Sequence, residues 1–215
     1  RARKMALANL PQDQFEHYNK ISGNELLTNN GMKLASVGSP KGPGRNWKID
    51  EALEVFQKDS TDRNFEQGEM LFSATRCISC HSMKGEGGAV GPALSQLGTR
   101  FSPRDILESI LEPNKVISDQ YAYTSFYLKN GGSVTGRLKN EDSEKYYISQ
   151  NPFAPQTLRE VIKSDVVRTR ISDVSSMYPG MVNGLNKEEL KDLMAYLISG
   201  SNKDHQIYKP KLLKK

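Results

Sequence analysis

Cys77-Ile78-Ser79-Cys80-His81 is the stretch from which the rest of the chain is read. Two thiols three residues apart lie on one turn, and an imidazole follows the second directly. This spacing, C-x-x-C-H, is the attachment signature of a c-type haem. Each thiol can form a thioether with one of two vinyl groups on adjacent pyrroles. The histidine then sits beneath the iron, where a ring nitrogen can ligate it. Attachment through two bonds makes binding of the group part of folding.

Other uses of the cysteines fit less well. A C-x-x-C redox pair belongs in a thioredoxin-like βαβ setting, which the flanking pattern does not supply. A structural zinc ion takes about four ligands. Beyond the cluster only His17 and His205 remain, near opposite ends. Two cysteines cannot build a disulfide framework. Gly85, Gly87, Gly88 and Gly91, with Pro92 next, allow a backbone that lies against a flat macrocycle without Cβ clashes. The expectation is one covalent haem c.

The whole chain sets outer bounds. Its 215 residues carry a formal charge of +5 and are 36% hydrophobic. That suits one domain with an insertion, or two small ones. No run approaches the roughly 20 apolar residues of a membrane span. Basic residues gather at the ends: Arg1, Arg3 and Lys4, then Lys209, Lys211, Lys214 and Lys215. Such tails are solvated or steer an acidic redox partner. Arg159, Lys163, Arg168 and Arg170 form no nucleic-acid motif and have no stacking platform beside them. The first residue is Arg1 and no signal-peptide core follows, so a piece processed from something longer is expected.

Residues 1–45 read as a helical tail and linker, with Phe15, Leu26 and Leu27 as sparse anchors and Gly38-Ser39-Pro40-Lys41-Gly42-Pro43-Gly44 as a break. The domain proper is expected over 46–200 and a basic C-terminal tail over 201–215. Asp50 is expected to cap a helix over 51–58. A second helix should run from about Phe65 to Arg76. Ser102-Pro103-Arg104-Asp105 supplies an N-cap, a first-position proline and an acid in the first turn. Ile106, Leu107, Ile110 and Leu111 form that helix's buried stripe, and Glu112-Pro113 ends it. In the last helix Asn186 caps, Glu189 completes a capping box and Gly200 closes. Between these, residues 120–172 are β-rich around Gly131-Gly132 and should form an inserted subdomain of four or five strands, a small barrel or curled sheet.

The set Gly68-x-x-Leu71-Phe72, Cys77-x-x-Cys80-His81 and Gly91-Pro92-x-Leu94 resembles the class I cytochromes c. The resemblance implies a mainly α cytochrome c fold, here with a small β-barrel-like insertion, α+β overall. It also implies that Gly68 and Phe72 cross Tyr196 of the last helix. The Pro92 carbonyl would accept a hydrogen bond from His81 Nδ1, leaving Nε2 for iron. A wider set adds Phe65-Glu66-Gln67-Gly68, Gly87-Gly88-Ala89-Val90-Gly91-Pro92-Ala93-Leu94 and Ile110-Leu111-Glu112-Pro113-Asn114-Lys115. Gly131-Gly132, Ser176-Met177-Tyr178-Pro179 and Leu190-Lys191-Asp192-Leu193-Met194-Ala195-Tyr196-Leu197 follow in order. Together these resemble the C-terminal haem-binding domain of membrane-bound dehydrogenase-like proteins of Planctomycetes, Verrucomicrobia and Bacteroidetes. In that family the domain often follows a dehydrogenase-like propeller. A redox partner protein or a fused dehydrogenase domain, in a membrane-associated complex, is then the implied electron source.

A His/Met pair suits electron transfer because thioether sulfur stabilises Fe(II). Met177 and Met181 are the methionines between the third and last helices. Ser175-Ser176-Met177-Tyr178-Pro179 resembles the family's ligand loop. Many relatives place Met directly before Pro, whereas here Tyr178 intervenes, so Met181 stays a rival. Met70, Met83 and Met194 read as packing residues, and Trp47 as a residue that docks the linker. Arg100 suits a haem propionate or the surface equally. Tyr121, Tyr123 and Tyr127 would offer a docking surface if the insertion selects a partner.

No acid–base pair or partnered nucleophile is evident, so the expected function is electron transfer without a catalytic residue. The rivals are an open-site peroxidase or gas sensor, and an interaction module with a structural haem. Because haem c is assembled outside the bacterial cytoplasm, the cofactor implies the periplasmic side.

Overall fold

The computed structural model describes residues 38–58 and 62–209. Most of the expected tail at 1–45 lies outside the described residues, with Phe15, His17, Leu26, Leu27 and the N-terminal basic group. So do Lys211, Lys214 and Lys215. The described residues from Ser39 onward form one compact unit.

Six α-helices are described: α1 Ile49–Lys58, α2 Phe65–Ala74, α3 Cys77–Cys80, α4 Leu97–Arg100, α5 Pro103–Leu111 and α6 Lys187–Ser199. The expected cap of α1 is corrected. Asp50 lies inside the first turn, and its carboxylate pairs instead with Arg104 of α5 at 2.8 Å. In α5 the Ser102 side chain accepts from the Asp105 N–H while the Asp105 carboxylate accepts from the Ser102 N–H, satisfying two orphan donors at once. Asn186 and Glu189 do the same for α6, and Gly200 closes it in a left-handed conformation. Glu189 also accepts from the Lys41 and Gly42 N–H groups, which ties the linker to the start of α6.

The apolar faces of α1, α2, α5 and α6 meet in one core, built on Phe56, Leu71, Phe72, Leu107, Leu190, Leu193, Met194 and Leu197. Gly68 sets how closely α2 and α6 approach: a Cβ there would stand 2.4 Å from the Asp192 carbonyl oxygen and 2.7 Å from Tyr196 Cβ. The rings of Phe65 and Phe72 lie 5.5 and 5.6 Å from that of Tyr196. Trp47 is buried and donates its indole N–H to the Leu185 carbonyl at 3.2 Å. Part of the expected C-terminal tail folds back. Tyr208 packs against Phe65 at 5.6 Å, and its hydroxyl lies 3.2 Å from Ser199 Oγ.

A two-residue hairpin, β1 Ser82–Met83 and β2 Glu86–Gly87, follows α3. The remaining strands are β3 Thr124–Leu128, β4 Ser133–Glu141, β5 Lys145–Ser149, β6 Leu158–Ile162 and β7 Val166–Ile171. They form one antiparallel sheet in the order β6-β5-β4-β3-β7. Gly131, at φ 83, makes the β3–β4 turn. Strands β6 and β7 are at opposite ends of the order, yet only the 3-10 turn Lys163–Asp165 joins them. A link that short requires the sheet to curl. Lys163 N–H donates to Glu144 and Lys129 N–H to Asp165, pinning the turn across the sheet end. No ladder pairs β6 with β7, so the sheet is curled and open rather than a closed barrel. Tyr121 and Tyr123 precede β3 rather than lying in it. Phe126, Val134, Ile148 and Val161 form a separate small core.

Candidate functional site

The chain reaches Cys77 through a sharp reversal. Thr75 ends α2 and Arg76 takes a left-handed conformation, φ 66, that a bulky side chain adopts only under constraint. Thr75 Oγ1 donates its one proton to the Leu71 carbonyl at 2.7 Å, so at 3.2 Å from Cys77 Sγ it is left to accept from the thiol. Cys77 and Cys80 are free thiols at the two ends of α3. Burial pushes both thiols above their ordinary pKa. The raised pKa favours the protonated thiol at both positions.

His81 follows at the C-cap of α3, in extended conformation. Its Nδ1 stands 2.8 Å from the Pro92 carbonyl oxygen. Since a carbonyl can only accept, Nδ1 carries the proton and Nε2 keeps a free lone pair. Burial lowers the pKa of the ring, against the raising effect of the Pro92 bond, which favours the neutral, ligating imidazole.

The glycine loop does something more local than expected. A Cβ on Gly88 would stand 2.2 Å from the Ser79 carbonyl oxygen, and one on Gly87 2.4 Å from that of His81. At Gly91 it would strike the His81 ring, 2.5 Å from Cε1 and 2.8 Å from Nδ1. These glycines let the loop lie against the Ile78–His81 turn itself. Gly88 N–H donates to Ile78 at 2.8 Å, and Gly91 N–H to Cys80 at the same distance. Gly85 has nothing near it and serves only the positive-φ turn of the β1–β2 hairpin.

Among the described residues no three His, Cys, Asp or Glu side chains converge as a metal cluster. This suits a group whose periphery takes the sulfurs and whose centre takes the nitrogen, and suits zinc poorly. The residues present thus fit a haem c.

Met177 and Met181 are both half-buried. The Met177 loop is fixed by its own backbone: Met177 N–H donates to Ser175 Oγ, and Ser175 N–H to Asn114 Oδ1 beyond α5. Tyr178, 50% exposed, stacks at 5.7 Å and 4° on Phe153, 46% exposed, from the β5–β6 loop. Met83 and Met194 are core residues, and Met70 packs against the core. Arg100 ends α4, exposed, with its guanidinium 5.7 Å from the Phe101 ring. His205 accepts from the Ile207 N–H in the last 3-10 turn.

Two contacts from the inserted region were not legible in the sequence. Tyr123 is 9% exposed, so it is no docking residue. Burial raises the pKa of its hydroxyl, with Tyr178 and Cys80 acting in the same sense and a hydrogen bond to Ser176 opposing them. Arg137 of β4 donates to the Val90 carbonyl in the glycine loop at 2.9 Å. A cavity of about 400 Å³ beside the linker, lined by Asn64, Gln67, Asn186 and Asp192 among others, shares no residue with this site.

The family model for cytochrome c matches residues 65–147, from α2 through the Cys77–His81 turn into β5. The match supports a cytochrome c-like domain, with haem c and electron transfer as its associated chemistry. The protein named cytochrome c oxidase subunit 2 of Alkalihalophilus pseudofirmus is 33% identical over 96 residues, which is 44% of this chain and 27% of that relative. The chain thus spans about a quarter of that relative's length. Among the described residues no helix is long and apolar enough to cross a membrane.

Proposed function

We propose that residues 46–200 act as a one-electron carrier on a class I-like cytochrome c fold, with the 120–172 sheet inserted between its proximal and distal halves. The observation that carries this reading is the His81 Nδ1 to Pro92 carbonyl contact of 2.8 Å, directly after two unpaired thiols on one turn. Cys77 and Cys80 would hold the haem as two thioethers, links that keep every atom of thiol and vinyl group. The haem, once bound, supplies a one-electron iron couple. His81 would ligate the iron through Nε2, and Pro92 fixes its tautomer and aim. Gly91 lets the loop lie flat on the imidazole. Met177 is the proposed second ligand, with Met181 the rival, and Arg100 the proposed partner of a propionate.

The wider motif set supports a place at the end of a dehydrogenase-like protein, or beside one, as the carrier of its electrons. That a partial relative is named as an oxidase subunit agrees with a neighbouring redox protein as partner. Because haem c is assembled outside the bacterial cytoplasm, the proposed location is the periplasmic side. The test is the full chain matured with haem. It should carry haem that survives denaturation, give a reversible voltammetric wave and, when reduced, show a spectrum unmoved by carbon monoxide. A carbon monoxide adduct would favour a peroxidase or gas sensor. Haem without reversible electron exchange would leave it a structural staple.

A further inference from the structure

Arg137 stands on β4, 47 positions from the carbonyl it grips. Strand alternation decides which way it faces. Val134 pairs with Phe126 on the face of the small core. Thr135 pairs with Ser125 on the other face, their hydroxyls 2.8 Å apart. Arg137, two residues on, shares the face of Thr135. From there Nη1 reaches the Val90 carbonyl at 2.9 Å, and the guanidinium lies 5.6 Å from the centre of the Tyr121 ring. The aromatic face favours the cation and helps hold it in place.

The Val90 carbonyl belongs to the same planar peptide as the Gly91 N–H. That N–H donates to the Cys80 carbonyl at 2.8 Å. One peptide is thus held on one side by the attachment turn and on the other by the inserted sheet. Next along the chain, Gly91 packs on the His81 ring, and Pro92 presents its carbonyl to Nδ1. A charged donor makes a stronger bond than a neutral one and polarises the peptide it grips, which strengthens that peptide's own donation to Cys80.

We propose that Arg137 is a positioning residue for His81. By holding the Val90–Gly91 peptide it fixes where the Pro92 carbonyl meets Nδ1. Its cation also favours the less positive, reduced state of the centre. The inserted sheet is therefore part of the redox site and tunes its potential, a conclusion that rests on the electron-carrier reading above.

The experiment compares the wild-type chain, Arg137→Gln and Arg137→Lys, each matured with haem. Covalent haem content, midpoint potential and the proton resonances of the His81 ring in the reduced state are measured. Arg137→Gln is expected to keep its haem, shift the midpoint to lower potential and move the ring resonances. Arg137→Lys keeps the charge but not the fork, and should recover most of the potential while the ring resonances stay displaced. Wild-type potential and ring resonances in Arg137→Gln overturn the inference, however much stability that variant loses. If Arg137→Gln does not fold, Tyr121→Leu removes only the supporting ring and should lower the potential by less; no shift there overturns the inference equally. A wild-type chain without covalent haem defeats the electron-carrier reading itself, and is recognised before any variant is compared.

Discussion

The helical half and the inserted sheet are stabilised by different means. The helices share a continuous core that includes Phe72, Leu107, Leu190 and Leu193, and the C-x-x-C-H turn is attached to it through Cys77 and Ile78. The sheet buries four apolar side chains, Phe126, Val134, Ile148 and Val161, and leaves Leu158, Ile162, Val167 and Ile171 largely exposed. Its order comes more from ladders, bulges and turns than from apolar burial. A small core cannot by itself make a well-isolated domain. The sheet is accordingly anchored to the haem-site loops by polar contacts, Arg137 to Val90 and Tyr123 to Ser176.

The largest effect expected is from the double variant Cys77→Ala, Cys80→Ala. It should lose all haem that survives denaturation, and because haem binding is coupled to folding, helical circular dichroism should fall far more than the strand signal. Equal loss of both signals would break the distinction between the halves. Next come paired core truncations followed by urea unfolding. Leu193→Ala should cost about 4 kcal/mol, near the upper part of the range for buried Leu, because its surroundings are held from several helices. Ile148→Ala should cost about 2 kcal/mol, since a thin sheet core collapses more easily. Gly68→Ala should cost about 2 kcal/mol by driving a Cβ into α6.

Smaller in energy but sharper in meaning is the distal ligand. Met177→Ala should abolish the charge-transfer band from methionine sulfur to ferric iron while leaving covalent haem in place. Survival of that band, with its loss in Met181→Ala, would transfer the role to Met181. The smallest effect is in the helical half at high pH. Tyr208 is pushed up to about 12, chiefly by burial. A folded pKa above the unfolded value near 10 means that the native state keeps a proton the unfolded chain has lost. The stability this provides is complete below about pH 10 and declines toward pH 12. Tyr208→Phe should flatten that decline in unfolding free energy, and an unchanged slope would count against it.

What the sequence made legible was local. Ser102 with Asp105 and Asn186 with Glu189 mark helix starts within four residues, and Gly131 marks a turn by itself. The C-x-x-C-H spacing carries its chemistry on one turn. Long-range contacts leave no such trace. Nothing near Arg137 indicates that its partner is the Val90 carbonyl, and nothing near Tyr123 indicates that it is buried beside Ser176. Asp50 looked like a cap because helix starts favour acids, but the spatial neighbour Arg104 claimed its carboxylate. The open edge between β6 and β7 depends on how far the sheet curls, which strand spacing does not encode.

The central claim is that Cys77, Cys80 and His81 hold one haem for reversible electron transfer. Its most direct test is an optical redox titration of the haem-matured full chain. The account predicts a single one-electron transition between low-spin ferric and ferrous spectra, identical in both directions. A chain that takes up no covalent haem, or whose iron is high-spin and does not return along the same curve, would contradict it.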